Sequence, residues 1–224
     1  MASSKVLLGQ RLESVLATNT VLRNTYILLG LTMLFSAFTA GIAMLSNSAA
    51  LNPFVTLIAY FGLLFLTSHL RNSGWGLLSV FALTGFMGYT LGPILNHYMH
   101  GFSNGQELVM MSLGATGLIF FALSAYALAT RKDFSFMSGF LMVGMLVAFL
   151  ASIATLFFHI PALMLMVSAM FVLLSSGVIL FQTSQIIHGG ETNYIMATVT
   201  LYVSLYNIFL SLLNLLGAFS GNKE

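Results

Sequence analysis

The chain has 224 residues, of which 58% are hydrophobic and only 5% are charged, and its formal net charge is +2. A soluble domain carries about 25% charged residues, so this composition predicts one domain of membrane-spanning helices. A transmembrane β-barrel is disfavoured, because barrel strands alternate polar and apolar positions and the apolar runs here are continuous. Cysteine is absent, which excludes disulfides and thiolate chemistry. The net charge is too small to indicate a nucleic-acid partner.

The N-terminal segment is polar and carries Lys5 and Arg11. We expect residues 1–20 to form a flexible N-terminal tail in the cytoplasm, followed by a transmembrane domain at 21–219 and a short C-terminal tail at 220–224. A cleaved signal peptide is the alternative for the N-terminus. The first apolar run is about 20 residues long, which exceeds the apolar region of a signal peptide, so an uncleaved first helix is favoured.

Seven apolar segments follow, each long enough to cross a hydrocarbon core of about 30 Å. Their connections are short, so consecutive helices should be antiparallel neighbours. The predicted spans, in chain order, are 26–45, 51–70, 75–95, 108–129, 134–158, 161–181 and 194–219.

The third segment contains glycines at an i, i+3, i+7 spacing, namely Gly85, Gly88 and Gly92, followed by Pro93. Small residues at this spacing form a groove in which a neighbouring helix can approach closely. Pro93 is expected to kink the helix, since it removes one backbone hydrogen bond. We favour tight packing over a gating hinge as the role of this motif.

Polar residues recur on one stripe of the sixth segment and one stripe of the seventh, and we call them the polar seam. The seam consists of Ser168, Ser175 and Gln182 in the sixth segment and Thr200, Ser204, Asn207, Ser211 and Asn214 in the seventh. Lipid offers no hydrogen-bond partners, so these stripes should face other helices or a wet cavity. The seventh helix is therefore expected at the centre of the bundle. Two interpretations stay open, namely interhelical hydrogen bonding and a path for protons, ions or water.

The basic residues indicate the orientation of the chain in the membrane. A cytoplasmic N-terminus puts six of the seven on the cytoplasmic side, leaving only Lys223 outside. Those six are Lys5, Arg11, Arg23, Arg71, Arg131 and Lys132. This asymmetry follows the positive-inside rule, so we predict the N-terminus inside, the 188–193 hinge inside and the C-terminus outside.

The sequence offers little for catalysis or metal binding. His97 and His100 are spaced to share a metal, but no third ligand accompanies them, so no metal site is predicted. We see no nucleophile–base pair and no phosphate-binding glycine loop. We therefore expect no enzyme activity and no cofactor.

Several stretches resemble the Bax-inhibitor family of seven-helix membrane proteins, and in particular its bacterial YccA-type branch. They are VLRNTY at 21–26, TGFMGYTLGPILN at 84–96, SAYALATRKDFSF at 124–136, LSSG at 174–177, IIHGGETNYI at 186–195 and LYVSLYNIF at 201–209. The resemblance implies an all-α fold in which six helices surround a central seventh. It further implies an inner-membrane regulator that binds the membrane AAA+ protease FtsH and slows the degradation of other membrane substrates. The cytoplasmic tail would be the part that enters the protease.

Many family members carry two aspartates linked to a pH-dependent calcium leak. The matching positions here are Gln182 and Ser204. Neither side chain ionises, so a two-carboxylate proton sensor cannot operate here as it does in those members. The modulator role is favoured, and an ion leak of calcium or protons is the alternative.

Overall fold

The computed structural model describes the backbone of residues 2–158 and 160–221, and the side chains in those ranges from residue 18 onward. The part described contains seven α-helices and one short 3-10 helix at Ser135–Met137. The α-helices are α1 (Ala2–Leu45), α2 (Pro53–Leu70), α3 (Trp75–Gly101), α4 (Gly105–Thr130), α5 (Ser138–Phe157), α6 (Pro161–Ile187) and α7 (Tyr194–Ser220). The side chains of Lys5 and Arg11, and all of Lys223, lie outside the described residues.

The predicted all-α class with seven membrane spans is confirmed, since all seven helices are long and apolar enough to cross a membrane. The N-terminal segment differs from the expectation of an irregular tail. Helix α1 begins at Ala2, and among the residues whose side chains are described its apolar part, long enough to span a membrane, is Thr18–Leu45. Residues 2–17 contain no proline and one glycine, so nothing in them stops a helix from extending beyond the membrane.

Several helix boundaries follow from capping residues that the sequence displays. Pro53 and Pro161 stand in the first turns of α2 and α6, where proline's missing N–H costs no hydrogen bond. Asn193 caps α7, and its side-chain oxygen accepts from the backbone N–H groups of Ile195 and Met196. Arg131 ends α4 in the left-handed conformation with a φ of 48°.

Helix α7 is the most buried spanning helix of the described bundle. Its most apolar window is 50% buried, compared with 6% for the corresponding window of α2. Helices α1, α3, α4 and α6 pack directly against α7, whereas α2 packs mainly on α3 and α5 mainly on α6. The seventh helix is thus central, with four direct neighbours and two outer helices that lean on those neighbours.

Helices α1 and α3 pack together extensively, and the three glycines of α3 lie in their contact. A Cβ atom on Gly85 would stand 2.6 Å from the Phe35 ring, and one on Gly92 would meet Ala43. A Cβ atom on Gly88 would overlap the backbone carbonyl oxygen of Ser36. The small residues therefore permit the backbones to approach, as small-residue motifs do in membranes. Pro93 lies inside α3, which continues to Gly101.

Candidate functional site

Helices α6 and α7, which carry the two stripes of the predicted polar seam, pack against each other, but the seam residues described form no hydrogen bonds between these two helices. Ser204 donates to the carbonyl oxygen of Thr200 at 2.8 Å, and Thr200 donates to that of Met196 at 3.0 Å. Both bonds stay within α7. Within the described chain, no hydrogen bond joins a seam residue of α6 to one of α7.

The seam residues of α6 are buried, and two of them have unused hydrogen-bonding groups. Ser168, Ser175 and Gln182 are 4%, 0% and 6% exposed. The Ser175 hydroxyl and the Gln182 amide nitrogen have no hydrogen-bond partner among the described residues. Buried polar groups are normally paired, so this part of the seam retains free donors inside the bundle.

Hydrogen bonds between α7 and its neighbours come largely from tyrosines. The Tyr202 hydroxyl lies 2.5 Å from the Ser36 hydroxyl and donates to the carbonyl oxygen of Thr84 at 3.2 Å. The Tyr98 hydroxyl donates to the side-chain oxygen of Asn214 at 2.7 Å. Neither tyrosine belongs to the predicted polar seam, although a tyrosine inside an apolar span is a usable signal, because its buried hydroxyl usually finds a partner.

A cavity of about 610 Å³ lies against the α7 face that carries Thr200, Ser204 and Asn207. Helices α2, α3, α5 and α6 form its other walls. Aromatic rings make up much of the lining, from Tyr60, Phe61, Phe86, Phe149, Phe171 and Tyr206. Asn207 stands at the midpoint of α7, so the cavity lies at the middle of the membrane-spanning region. Ser168, Ser175, Gln182, Ser211 and Asn214 do not line it.

Most hydroxyl groups in the cavity wall are already engaged. Thr90 and Ser152 donate to carbonyl oxygens one turn earlier in their own helices, as do Thr200 and Ser204. The Asn207 amide and the Tyr60 hydroxyl have no hydrogen bond to the described protein. The cavity therefore offers two free polar groups in an aromatic surrounding.

Three loops meet at one end of the bundle, which we call the loop end. Asn193 donates to the carbonyl oxygen of Arg71 at 3.0 Å, which ties the α6–α7 loop to the α2–α3 loop. Ser184 donates to the carbonyl oxygen of Lys132 at 3.1 Å and ties α6 to the α4–α5 loop. The topology residues Arg71, Arg131 and Lys132 are exposed here, and Arg23 is exposed near the start of the spanning part of α1.

The surroundings of Asp133, at the loop end, favour the ionised form of its carboxyl group. Its carboxylate accepts from the Ser135 hydroxyl at 2.6 Å and from the Ser135 backbone N–H at 2.8 Å. These bonds lower the pKa of Asp133, because they stabilise the ionised form. Asp133 is fully exposed to solvent, so it caps the loop and offers no buried proton site.

The two histidines after Pro93 form no metal site with other residues described. His100 Nδ1 lies 3.0 Å from the carbonyl oxygen of Asn96, within its own helix. No group of three or more histidine, aspartate or glutamate residues is close enough to hold a metal anywhere in the described ranges.

Comparison with known proteins identifies relatives along nearly the whole chain. The family model described as inhibitor of apoptosis-promoting Bax1 matches residues 18–221. An uncharacterized protein of Pseudomonas aeruginosa is 56% identical over 202 residues, covering 90% of each chain. The modulator of FtsH protease YccA of Escherichia coli K12 is 54% identical over 205 residues, covering 91% of this chain and 92% of the relative. A protein of Escherichia coli O6:H1 named inner membrane protein YccA shows the same identity and coverage.

Proposed function

We propose that the chain, which belongs to the Bax1-inhibitor family, is an inner-membrane modulator of an FtsH-type membrane protease. The observation that carries the proposal is the 54% identity, over 91% of the chain, to a protein named for modulating FtsH. The name of a second relative supports the inner membrane as its location. The seven spanning helices fit that location.

A regulatory role suits the chemistry of the described residues better than catalysis. The cavity beside α7 is lined by aromatic rings, hydroxyl groups and one amide group. Such groups bind and orient, but they supply no activated nucleophile or base near neutral pH. The two Escherichia coli relatives are named a modulator of FtsH protease and an inner membrane protein.

The proposed orientation has the N-terminus and the loop end in the cytoplasm. Arg71, Arg131 and Lys132 are grouped at that end by the hydrogen bonds between its loops, which supports the positive-inside assignment. Reporter fusions at residue 20, within the 131–134 loop and after residue 221 test this orientation. We expect cytoplasmic signals from the first two and an external signal from the third. A cytoplasmic signal from the third fusion would refute the orientation.

The N-terminal part of α1 is the proposed contact with the protease. It lies N-terminal to the first apolar span predicted at 26–45 and is continuous with that span in helix α1. Most helical stability in proteins comes from tertiary packing and not from helix propensity, so we expect a protease that pulls on this end of α1 to meet little resistance. This segment carries charges of both signs and has no long apolar run.

The decisive experiment reconstitutes the full chain with an FtsH-type protease and a membrane substrate in liposomes. We expect the full chain to slow substrate degradation several-fold. Deletion of residues 2–17 should remove that inhibition while the seven-helix bundle stays folded, as judged by size exclusion and thermal stability. Replacement of 2–17 by an uncharged glycine–serine segment of equal length is the matched control for length.

Two outcomes contradict the proposal. If the full chain leaves degradation unchanged, the modulator role fails. If the liposomes instead show calcium or proton flux after a pH step, the ion-leak alternative is supported. Neither Gln182 nor Ser204 can titrate, so we expect no flux that follows the pH step.

A further inference from the structure

We propose that the cavity between α2, α5 and α7 binds an uncharged, lipid-soluble carbonyl compound taken up from the bilayer. Its carbonyl oxygen would accept hydrogen bonds from the Asn207 amide and the Tyr60 hydroxyl, and its apolar body would lie against the surrounding rings. This inference is independent of the proposed modulation of a protease.

The volume and the lining indicate a ligand in preference to solvent. Ligand pockets commonly measure about 300–1,000 Å³ and combine apolar walls with a few placed polar groups, and this cavity of about 610 Å³ fits that range. A buried water needs about two to four polar partners. The free groups of Tyr60 and Asn207 can hold about one or two waters, but the rings of Phe61, Phe149 and Phe171 leave most of a cavity of about 610 Å³ without partners for water.

The lining also selects the charge and the hydrogen-bonding type of the ligand. No charged side chain stands among the described residues that line the cavity, so a charged ligand at mid-membrane would be uncompensated and costly. The Tyr60 hydroxyl and the Asn207 NH₂ group can both donate a hydrogen bond, while the same hydroxyl and the Asn207 carbonyl oxygen can also accept one. Two donors in an aromatic pocket suit a carbonyl acceptor, whether it belongs to a quinone ring or to a fatty ester.

The route from the bilayer lies between the two outer helices. Helices α2 and α5 pack mainly on α3 and α6, and aromatic pairs bridge the gap between them. Phe61 and Phe149, which both line the cavity, have ring centroids 5.6 Å apart, and Phe54 and Phe157 have centroids 6.5 Å apart. Side-chain rotation alone could open such a contact, without movement of a helix.

Binding is tested on the purified full-length protein with radiolabelled decylubiquinone as the probe, by a scintillation proximity assay. We expect saturable binding that unlabelled decylubiquinone displaces and that hexadecane, which has no carbonyl group, does not. Methyl palmitate serves as the second competitor. If it displaces the probe better than decylubiquinone does, the carbonyl source is a fatty ester, and otherwise a quinone.

Matched variants locate the site. Asn207→Leu and Tyr60→Phe should each weaken binding about five-fold, the factor expected for one hydrogen bond. Asn214→Leu is the control on the same helix, because Asn214 bonds Tyr98 outside the cavity, and its affinity should equal that of the unaltered chain. Val203→Trp, which fills the cavity, should abolish binding in protein that remains monodisperse and helical.

Three results would overturn the proposal. The first is the absence of saturable binding to the unaltered chain. The second is an affinity in the Asn207→Leu and Tyr60→Phe variants that equals the affinity of the unaltered chain. The third is displacement by hexadecane as effective as displacement by carbonyl compounds. If Val203→Trp fails to fold, Val203→Phe provides a smaller filling substitution with the same expected loss.

Discussion

Helix α7 has two faces that differ in how their polar groups are used. On one side of α7, the glycines of α3 bring the α1 and α3 backbones together, and the Tyr202 hydroxyl of α7 contacts Ser36 of α1 and Thr84 of α3. Toward α2 and α5, the same helix borders a cavity and presents the Asn207 amide without a protein partner. One face thus fixes the bundle through hydrogen bonds, while the other leaves space for the ligand that we propose.

The largest effect is expected from closing the space between α1 and α3. Gly88→Ala would push a methyl group against the Ser36 carbonyl oxygen, and overpacking of this kind costs about 1–3 kcal/mol. The free energy of unfolding should therefore fall by about that amount. Titration of the purified protein with denaturing detergent, followed by circular dichroism, measures the change.

Gly114→Ala is the control for this prediction. Gly114 lies on an exposed face of α4, and nothing stands within 4 Å of an added Cβ atom. Replacing glycine by alanine in an open helix position stabilises by about 0.5–1 kcal/mol. The two substitutions should thus have opposite signs, and equal effects would contradict the close α1–α3 packing.

The second effect tests the hydrogen bonds that the rigid face makes. Tyr202→Phe removes the hydroxyl that contacts Ser36 and Thr84 and leaves the ring in place. We expect a loss of about 1–2 kcal/mol of unfolding free energy, since a buried partner is left unsatisfied. Tyr206→Phe on the cavity side should cost less, because its bond to Thr90 is long, at 3.3 Å. A larger loss in Tyr206→Phe would reverse the assignment of the two faces.

The third effect contrasts two asparagines of the polar seam. Asn214→Leu breaks the 2.7 Å bond from Tyr98, and interhelical bonds in membranes are worth about 0.6–1.7 kcal/mol. Asn207→Leu breaks no protein bond and adds apolar surface to an apolar cavity, so the ligand-free protein should be unchanged or more stable. The same unfolding titration checks both variants. A destabilised Asn207→Leu variant would indicate a partner for this amide.

This contrast shows what the sequence could and could not predict. The spans were predictable because lipid and protein interior both demand apolar residues, and Pro53, Pro161 and Asn193 mark helix starts by capping chemistry. The close-packing role of Gly88 followed from its spacing. Asn207 and Asn214 share a residue type and a stripe, yet only one has a partner. Their difference depends on which helix stands opposite, and hydropathy carries no information about that.

Two further features were beyond the reach of sequence patterns for physical reasons. Residues 2–17 are helical but carry mixed charge and no long apolar run, so hydropathy does not predict their structure. The cavity arises because α2 and α5 lean on α3 and α6 and leave α7 partly uncovered. A wall made of phenylalanine rings has the same hydropathy as a surface facing lipid, so the sequence alone does not distinguish the two.

The smallest effect is expected outside both faces of α7, at the loop end. The hydrogen bonds from Ser135 lower the pKa of Asp133, so its ionised form stabilises the folded loop. That stabilisation is present above the unfolded pKa of about 3.9 and is lost as the pH falls through the lower, folded value.

Asp133→Asn keeps a side-chain oxygen acceptor but cannot ionise, and its stability should not follow this titration. The stability difference between the two proteins should shrink as the pH is lowered from about 6 to about 3. Thermal unfolding across this range measures it. A difference that stays constant with pH would show that the Asp133 charge contributes nothing to the loop.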